Sequence, residues 1–144
     1  MTHEDRGHYA KKHPPDRKVQ PEIAEALKQK ATKRKVSCAA AHKIAGDLNV
    51  PPAEVGFTID TLEIRIIKCQ MGLYGYHPEK RIVKPAETVT QSLEKAIRDA
   101  LVNGKIECAA AWDIAKKFGI ARMDVSSACE TLKVKISSCQ LGAF

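Results

Sequence analysis

The sequence predicts a mainly α protein with short β strands, built from two tandem copies of one module. Apolar residues recur at helical spacing, two β-rich stretches run into glycine turns, and residues 21–74 align without a gap on residues 91–144. The clearest repeated segments are KVSCAAAHKIAGDLNV at 35–50 and KIECAAAWDIAKKFGI at 105–120. Identical pairs include Cys38/Cys108, Ile44/Ile114, Val55/Val125, Ile66/Ile136, Cys69/Cys139 and Gly72/Gly142.

The first helix of each module is indicated by one apolar face. In the first copy Pro21 suits an opening turn, and Ile23 and Leu27 lie on the face that we expect to be buried. A short extended piece follows, and a second helix is predicted from about Cys38 to Leu48. Asn49 in one copy and Gly119 in the other then occupy the same position. Both residue types tolerate positive φ, which a tight turn between helices requires.

The third helix is predicted to start near Pro52 and to bury Val55, Ile59 and Leu62. The segments IRIIKCQMG and VKISSCQLG come next, and their alternation predicts a strand that ends in a glycine turn. Each module therefore has the order helix, short strand, helix, turn, helix, strand. We expect the last strand to return beside the short strand that precedes the second helix.

The repeat divides the chain into four predicted segments. Residues 1–19 are expected to form a flexible basic arm, 20–76 the first module, 77–89 a linker with two prolines, and 90–144 the second module. His3, His8 and His13 lie in the arm at intervals of five residues, which is not a helical spacing for metal ligands.

The small Ala45, the turn residue Asn49, the apolar Val50 and the branched Val55 follow the pattern of a helix-turn-helix, and Ala115, Gly119, Ile120 and Val125 repeat it. With its flanking strands, each module resembles a minimal winged helix-turn-helix domain. The resemblance covers nearly all of the chain outside the arm and the linker. It implies a small DNA-binding protein, a transcriptional regulator that contacts DNA through cationic helix ends, wings and the N-terminal arm.

The residues expected to contact DNA are cations around the helices and strands, with two serines of the second module's third helix. They are Lys33, Arg34, Lys35, Arg65, Lys68, Lys116, Lys117, Arg122, Ser126, Ser127, Lys133 and Lys135. One feature argues against this function. The third helix of the first module, PAEVGFTIDTLE, carries three carboxylates and no Lys or Arg, so it would meet phosphates with like charge.

The cysteines form two matched pairs, Cys38 with Cys69 and Cys108 with Cys139, each separated by 31 residues. Three interpretations stay open: small core residues, thiol pairs that sense redox state, and a metal or iron–sulfur site with ligands from both modules. Strand alternation places Lys68 rather than Cys69 on the face of Ile64 and Ile66, so Cys69 is either partly exposed or follows a bulge. Cys129, which aligns with Ile59, is expected in the core.

Composition restricts the remaining functions. The net charge is +7, and residues 1–35 hold ten Lys or Arg against five Asp or Glu, which favours an anionic partner. No secretory signal, membrane span, phosphate-binding loop or catalytic motif is evident, so we expect a cytoplasmic protein that is not an enzyme and needs no cofactor. The alternative to a DNA-binding protein is a protein-interaction or redox- or metal-responsive module. Either protein is expected to be a monomer with internal pseudo-twofold symmetry or a dimer.

Overall fold

The computed structural model describes residues 13–14 and 17–144, in which six helices and four short strands form a mainly helical fold. The elements of the first repeat are α1 (Pro21–Lys30), β1 (Lys35–Ser37), α2 (Cys38–Asp47), α3 (Pro52–Thr61) and β2 (Arg65–Ile67). Those of the second are α4 (Gln91–Asp99), β3 (Lys105–Glu107), α5 (Cys108–Phe118), α6 (Arg122–Leu132) and β4 (Lys135–Ser137). The predicted element order is confirmed in both repeats.

The chain divides into two compact units whose borders differ from those of the repeat. Unit 1 contains the described residues up to Cys69 together with the C-terminal segment Gln140–Phe144, and unit 2 contains Gln70–Cys139. The turn predictions are confirmed within each unit. Asn49 has a φ of 54° and Gly119 a φ of 66°, so both residues adopt the left-handed conformation between the second and third helices.

Unit 1 is a three-helix cluster in which α1 packs against both α2 and α3. Its core consists of aliphatic side chains at helical spacing, and the fully or almost fully buried ones include Ile23, Leu27, Ala41, Val55 and Ile59. Unit 2 repeats this cluster with α4, α5 and α6, around Ile97, Ala111, Ile114, Val125 and Cys129.

Each unit contains one sheet of two parallel strands. In unit 1, β1 pairs with β2, and the buried Val36 lies opposite the buried Ile66. In unit 2, β3 pairs with β4, and Ile106 lies opposite Ile136. The predicted return of the last strand beside the short strand is confirmed. A wing is an antiparallel hairpin after the third helix, and both sheets of the described residues are parallel pairs. The winged-helix resemblance therefore stays a prediction.

A glycine in the middle of α3 lets the C-terminal segment approach the helix. A Cβ atom placed on Gly56 would overlap the backbone carbonyl of Leu141, and the Leu141 side chain itself is buried. The contact is between two backbones, so repacking of a side chain cannot relieve it. Gly46 in α2 provides a contrast, because no atom lies within 4 Å of a Cβ placed there.

These two glycines give opposite predictions for substitution by alanine. Gly56→Ala should destabilise the protein by about 2 kcal/mol or more, because the overlap with Leu141 forces backbone movement. Gly46→Ala should instead stabilise it by roughly 0.5–1 kcal/mol, because alanine favours a helix and meets open space. Urea unfolding followed by circular dichroism measures both changes. Equal effects of the two substitutions would contradict the contact between α3 and the C-terminal segment.

Candidate nucleic-acid interface

The third helix of unit 1 is the most enclosed helix of that unit. Every residue from 55 to 60 is buried, including Thr58 at 0% and Asp60 at 4% exposure. A helix that is buried on all its faces lies within the packed interior and does not present a polar surface. The exposed reading face that a helix-turn-helix regulator needs is therefore lacking along the middle of α3.

Two side chains from the N-terminal segment cover the outer face of α3. His13 Nε2 lies 2.8 Å from Asp60 Oδ2, and Arg17 Nη2 donates to Glu54 Oε1 at 2.8 Å. Both also contact the ring of Phe57: the Arg17 guanidinium lies 3.8 Å above its centroid, and the His13 ring meets it edge-on at 4.9 Å. The acidic face that would repel phosphate is thus bound by a guanidinium and an imidazole of the same chain.

His13 and Arg17 belong to the predicted basic arm, and the sequence analysis did not assign them to a site. The rest of that arm, including His3 and His8, lies outside the described residues. The signal that pointed to the contact was present in the sequence. An acidic helix with one aromatic residue is complementary to a basic segment nearby in the chain.

The third helix of unit 2 is covered by a different part of the chain. The Ala86 amide donates to the Ser127 carbonyl at 3.1 Å, Thr131 Oγ1 donates to the Ala86 carbonyl at 2.6 Å, and Arg81 forms an ion pair with Glu130. The segment 81–86 of the predicted linker therefore lies along α6.

This packing places the two candidate serines differently from what the sequence suggested. Ser126 is completely buried, and its hydroxyl has no hydrogen-bond partner among the described residues, so the expected reach into a groove does not fit its position. Ser127 is half-buried, and its carbonyl is the one that binds Ala86. Whether these two serines are exposed depends on whether another part of the chain covers α6, and the sequence alone does not reveal such a cover.

Arg122 is exposed at the start of α6 and is held in place by two contacts in unit 2. Its guanidinium lies 3.6 Å above the Trp112 ring, and Nη1 donates to Gln70 Oε1 at 3.1 Å. Stacking on an indole leaves the edge of a guanidinium available to an anion. Lys116 and Lys117 are exposed in the last turn of α5, where cations complement the helix dipole.

The remaining candidate cations gather around the two sheets. In unit 1 the exposed Lys35 and Arg65 are register partners on neighbouring strands. In unit 2 the exposed Lys135 occupies the equivalent place, opposite the exposed Lys105, which was not among the predicted DNA-contacting residues. Lys33, Arg34, Lys68 and Lys133 are exposed at left-handed turns next to these strands, with φ values of 52°, 61°, 53° and 58°.

A shallow cavity in unit 1 lies beside this cationic group. Its volume is about 280 Å³, and it is lined by Lys28, Ala31, Arg34, Leu62 and Ile64. Arg34 Nη2 lies 3.4 Å from the carbonyl oxygens of both Leu62 and Glu63, near the end of α3. The guanidinium is thereby positioned at the helix C-terminus, where a cation is favoured. In unit 2 the position equivalent to Arg34 is Gly104.

None of the five cysteines forms a disulfide. Cys69 is buried and follows the left-handed Lys68, whose turn interrupts the strand alternation and directs the thiol inward. Cys139 follows the left-handed Ser138 and is partly exposed, with its Sγ 3.8 Å from the Tyr74 hydroxyl. Within the described residues no group of three or more His, Cys, Asp or Glu could hold a metal ion.

Cys129 is confirmed as a core residue, with 1% of its surface exposed. Burial raises the pKa of its thiol to about 11. Because the thiolate is the reactive form, this group is nearly inert at neutral pH.

No protein-family model, curated protein or solved structure matches this chain. A functional assignment therefore depends on the residues of the two units themselves. The helices of the described residues are all too short or too polar to cross a membrane.

Alkylation should distinguish Cys139 from Cys129. At pH 8 only about one Cys129 thiol in a thousand is ionised if its pKa is about 11, so iodoacetamide should modify Cys139 at least about ten times faster. Peptide mapping by mass spectrometry over time measures both rates. Cys139→Ser should remove the fast phase, and denaturant should make Cys129 react. Fast native labelling of Cys129 would contradict its burial.

Proposed function

We propose that the protein binds the phosphate backbone of nucleic acid, DNA in the first instance, through the cationic ends of its two sheets. The observation that carries the proposal is the pairing of like charges across each sheet. Lys35 lies in register with Arg65, and Lys105 lies in register with Lys135. The same arrangement occurs in both repeats, with Lys135 in the place of Arg65.

Such a pair is unfavourable unless an anion accompanies it. Side chains of register partners leave the same face of a sheet, and neighbouring strands lie about 4.8 Å apart. The buried neighbours Val36 and Ile66 occupy the opposite face, so Lys35 and Arg65 share the solvent face. Like charges directly opposite each other cost roughly 0.2–1 kcal/mol. A phosphate between them removes that repulsion.

No carboxylate of the described residues forms an ion pair with these sheet cations, so their positive charge is not compensated locally. Salt bridges between described residues involve Arg17, Lys43, Arg81, Lys95 and Arg98, whereas the four sheet cations form none. Lys33, Lys68 and Lys133 at the adjoining turns likewise form no ion pair within the described part of the chain. Cations that are exposed and uncompensated are the groups that release counterions when they contact phosphates.

The enclosed third helices favour backbone contacts over base reading. Sequence-specific recognition by a helix-turn-helix needs several exposed side chains along that helix, and most of α3 is buried. Contacts to phosphates position a protein without reading sequence. The proposal is therefore salt-sensitive binding with weak sequence preference, to which Arg122 at the start of α6 adds one further cation.

Neutralising the sheet pair of unit 1 tests the proposal. Lys35→Gln with Arg65→Gln should make the slope of log affinity against log salt less negative by about two, because two phosphate contacts are lost. At 50 mM salt the affinity for a 20-base-pair duplex should fall about tenfold or more. Fluorescence anisotropy over a series of salt concentrations measures both quantities.

The matched control is Lys43→Gln with Lys95→Gln. It lowers the net charge of +7 by the same two units, but it removes lysines that already pair with Asp47 and Asp99. This variant should leave the slope nearly unchanged. Equal losses in both variants would reduce the effect to overall charge. A wild-type chain that binds no duplex at low salt would sink the proposal, as would binding that vanishes entirely when residues 1–12 are deleted.

A second candidate function is protein interaction, and a separate observation favours it. The outer face of α3 binds a basic segment through side-chain contacts of His13 and Arg17, and pockets for particular side chains give interaction modules their specificity. The two functions use different surfaces of unit 1 and do not exclude each other.

A further inference from the structure

The outer face of α3 has the chemistry of a binding groove. We use the name α3 groove for Glu54, Phe57 and Asp60, whose positions 54, 57 and 60 recur every three residues along one side of the helix. It combines two carboxylates with one aromatic ring. A cation that stacks on the ring and reaches a carboxylate matches both features, which is the contact that Arg17 makes.

Asp60 is the most buried carboxylate of this groove. Its side chain is only 6% exposed, and His13, which approaches it, is 19% exposed. A carboxylate withdrawn from water is costly unless hydrogen-bond donors or cations satisfy it. His13 supplies one such contact, with its Nε2 2.8 Å from Asp60 Oδ2.

The equivalent helix of unit 2 is also covered by a separate segment of the chain. There the segment 81–86 binds α6 through the amide and carbonyl of Ala86, so the attachment involves the backbone. In unit 1 the contacts of His13 and Arg17 with α3 are made by side chains. Side-chain contacts depend on the residues of the ligand and can be reproduced by another segment with the same residues.

We propose that the α3 groove is a docking site for a segment of another protein that carries a histidine and, four residues later, an arginine, brought together as they are here by a hydrogen bond like that from the Arg17 amide to the Pro14 carbonyl. His13 and Arg17 of this chain occupy the groove as a displaceable ligand. The charge complementarity of two carboxylates with a guanidinium and an imidazole selects this class of partner. The inference is independent of nucleic-acid binding, because the sheet cations lie outside the groove.

The chain's own segment should weaken the apparent affinity of a free partner by a predictable factor. A tethered ligand acts at an effective concentration in the millimolar range. If a free peptide binds the open groove with a Kd of about 10 µM, an equally good tethered segment at about 1 mM weakens its apparent affinity roughly 100-fold. Removing the tethered contacts should therefore reveal the site.

The experiment uses the full chain and a labelled peptide with the sequence of residues 11–20, KKHPPDRKVQ. The peptide should bind the variant His13→Ala/Arg17→Ala at least tenfold more tightly than it binds the wild type, as measured by fluorescence anisotropy. A control peptide with alanine in place of both the histidine and the arginine should bind the variant at least tenfold more weakly. Adding Glu54→Gln and Asp60→Asn to the variant should abolish binding, with circular dichroism confirming that each protein is folded.

Several results would overturn the proposal. Equal binding of the peptide to the wild type and the variant would show that the segment does not occupy the groove. Failure to bind the folded variant at millimolar peptide, or equal binding of the alanine peptide, would show that the groove does not recognise these side chains. Self-association of the wild type that His13→Ala/Arg17→Ala abolishes would identify the occupant as a second copy of the chain. A failure here would leave the salt-dependent duplex binding of the sheet variants untouched.

Discussion

The enclosure of α3 is the constraint on which the organisation of unit 1 depends. Val55 and Ile59 face the core formed with α1 and α2, and Gly56 admits the backbone of Leu141. Phe57 and Asp60 lie on the remaining face of the helix and are covered by His13 and Arg17. Because each face of the helix is committed to a contact, its side chains specify the packing of unit 1. A helix used in this way has little freedom to evolve a base-reading surface.

The two repeats meet this constraint with different residues at aligned positions. Gly56 aligns with Ser126, Phe57 with Ser127, and Asp60 with Glu130. Unit 1 covers an aromatic and acidic face with cationic side chains, whereas unit 2 covers a serine-bearing face with backbone hydrogen bonds and the Arg81–Glu130 pair. Covering the third helix is therefore common to both units, and the chemistry of the cover is not. The aligned positions of unit 2, Asp124, Ser127 and Glu130, keep both carboxylates, and a serine stands in place of the Phe57 ring.

Much of the fold follows from periodicity, because helix faces, turn residues and the repeat are local properties of the sequence. Asn49 and Gly119 were predictable as left-handed residues, and the proximity of the two strands followed from the repeated order of elements. The burial of Ser126 and Cys69 was not predictable in the same way. The cover over the neighbouring Ser127 comes from Ala86, about 40 residues earlier in the chain, and the inward turn of Cys69 depends on the φ of Lys68. Gly56 was the overlooked signal, since a glycine inside a helix usually marks a close approach of another backbone.

The distribution of compensated and uncompensated charge connects this packing to the proposed binding of nucleic acid. Arg17 is exposed enough to contact a phosphate, but Glu54 and the Phe57 ring hold it, so its charge is largely directed at its own chain. Lys35 and Arg65 have no such carboxylate and repel each other across the sheet. An approaching phosphate gains more from the second pair than from the first, because it relieves an existing repulsion without displacing an existing ion pair. Among the described residues, the proposed attraction for phosphate is therefore stronger at the Lys35–Arg65 pair than at Arg17.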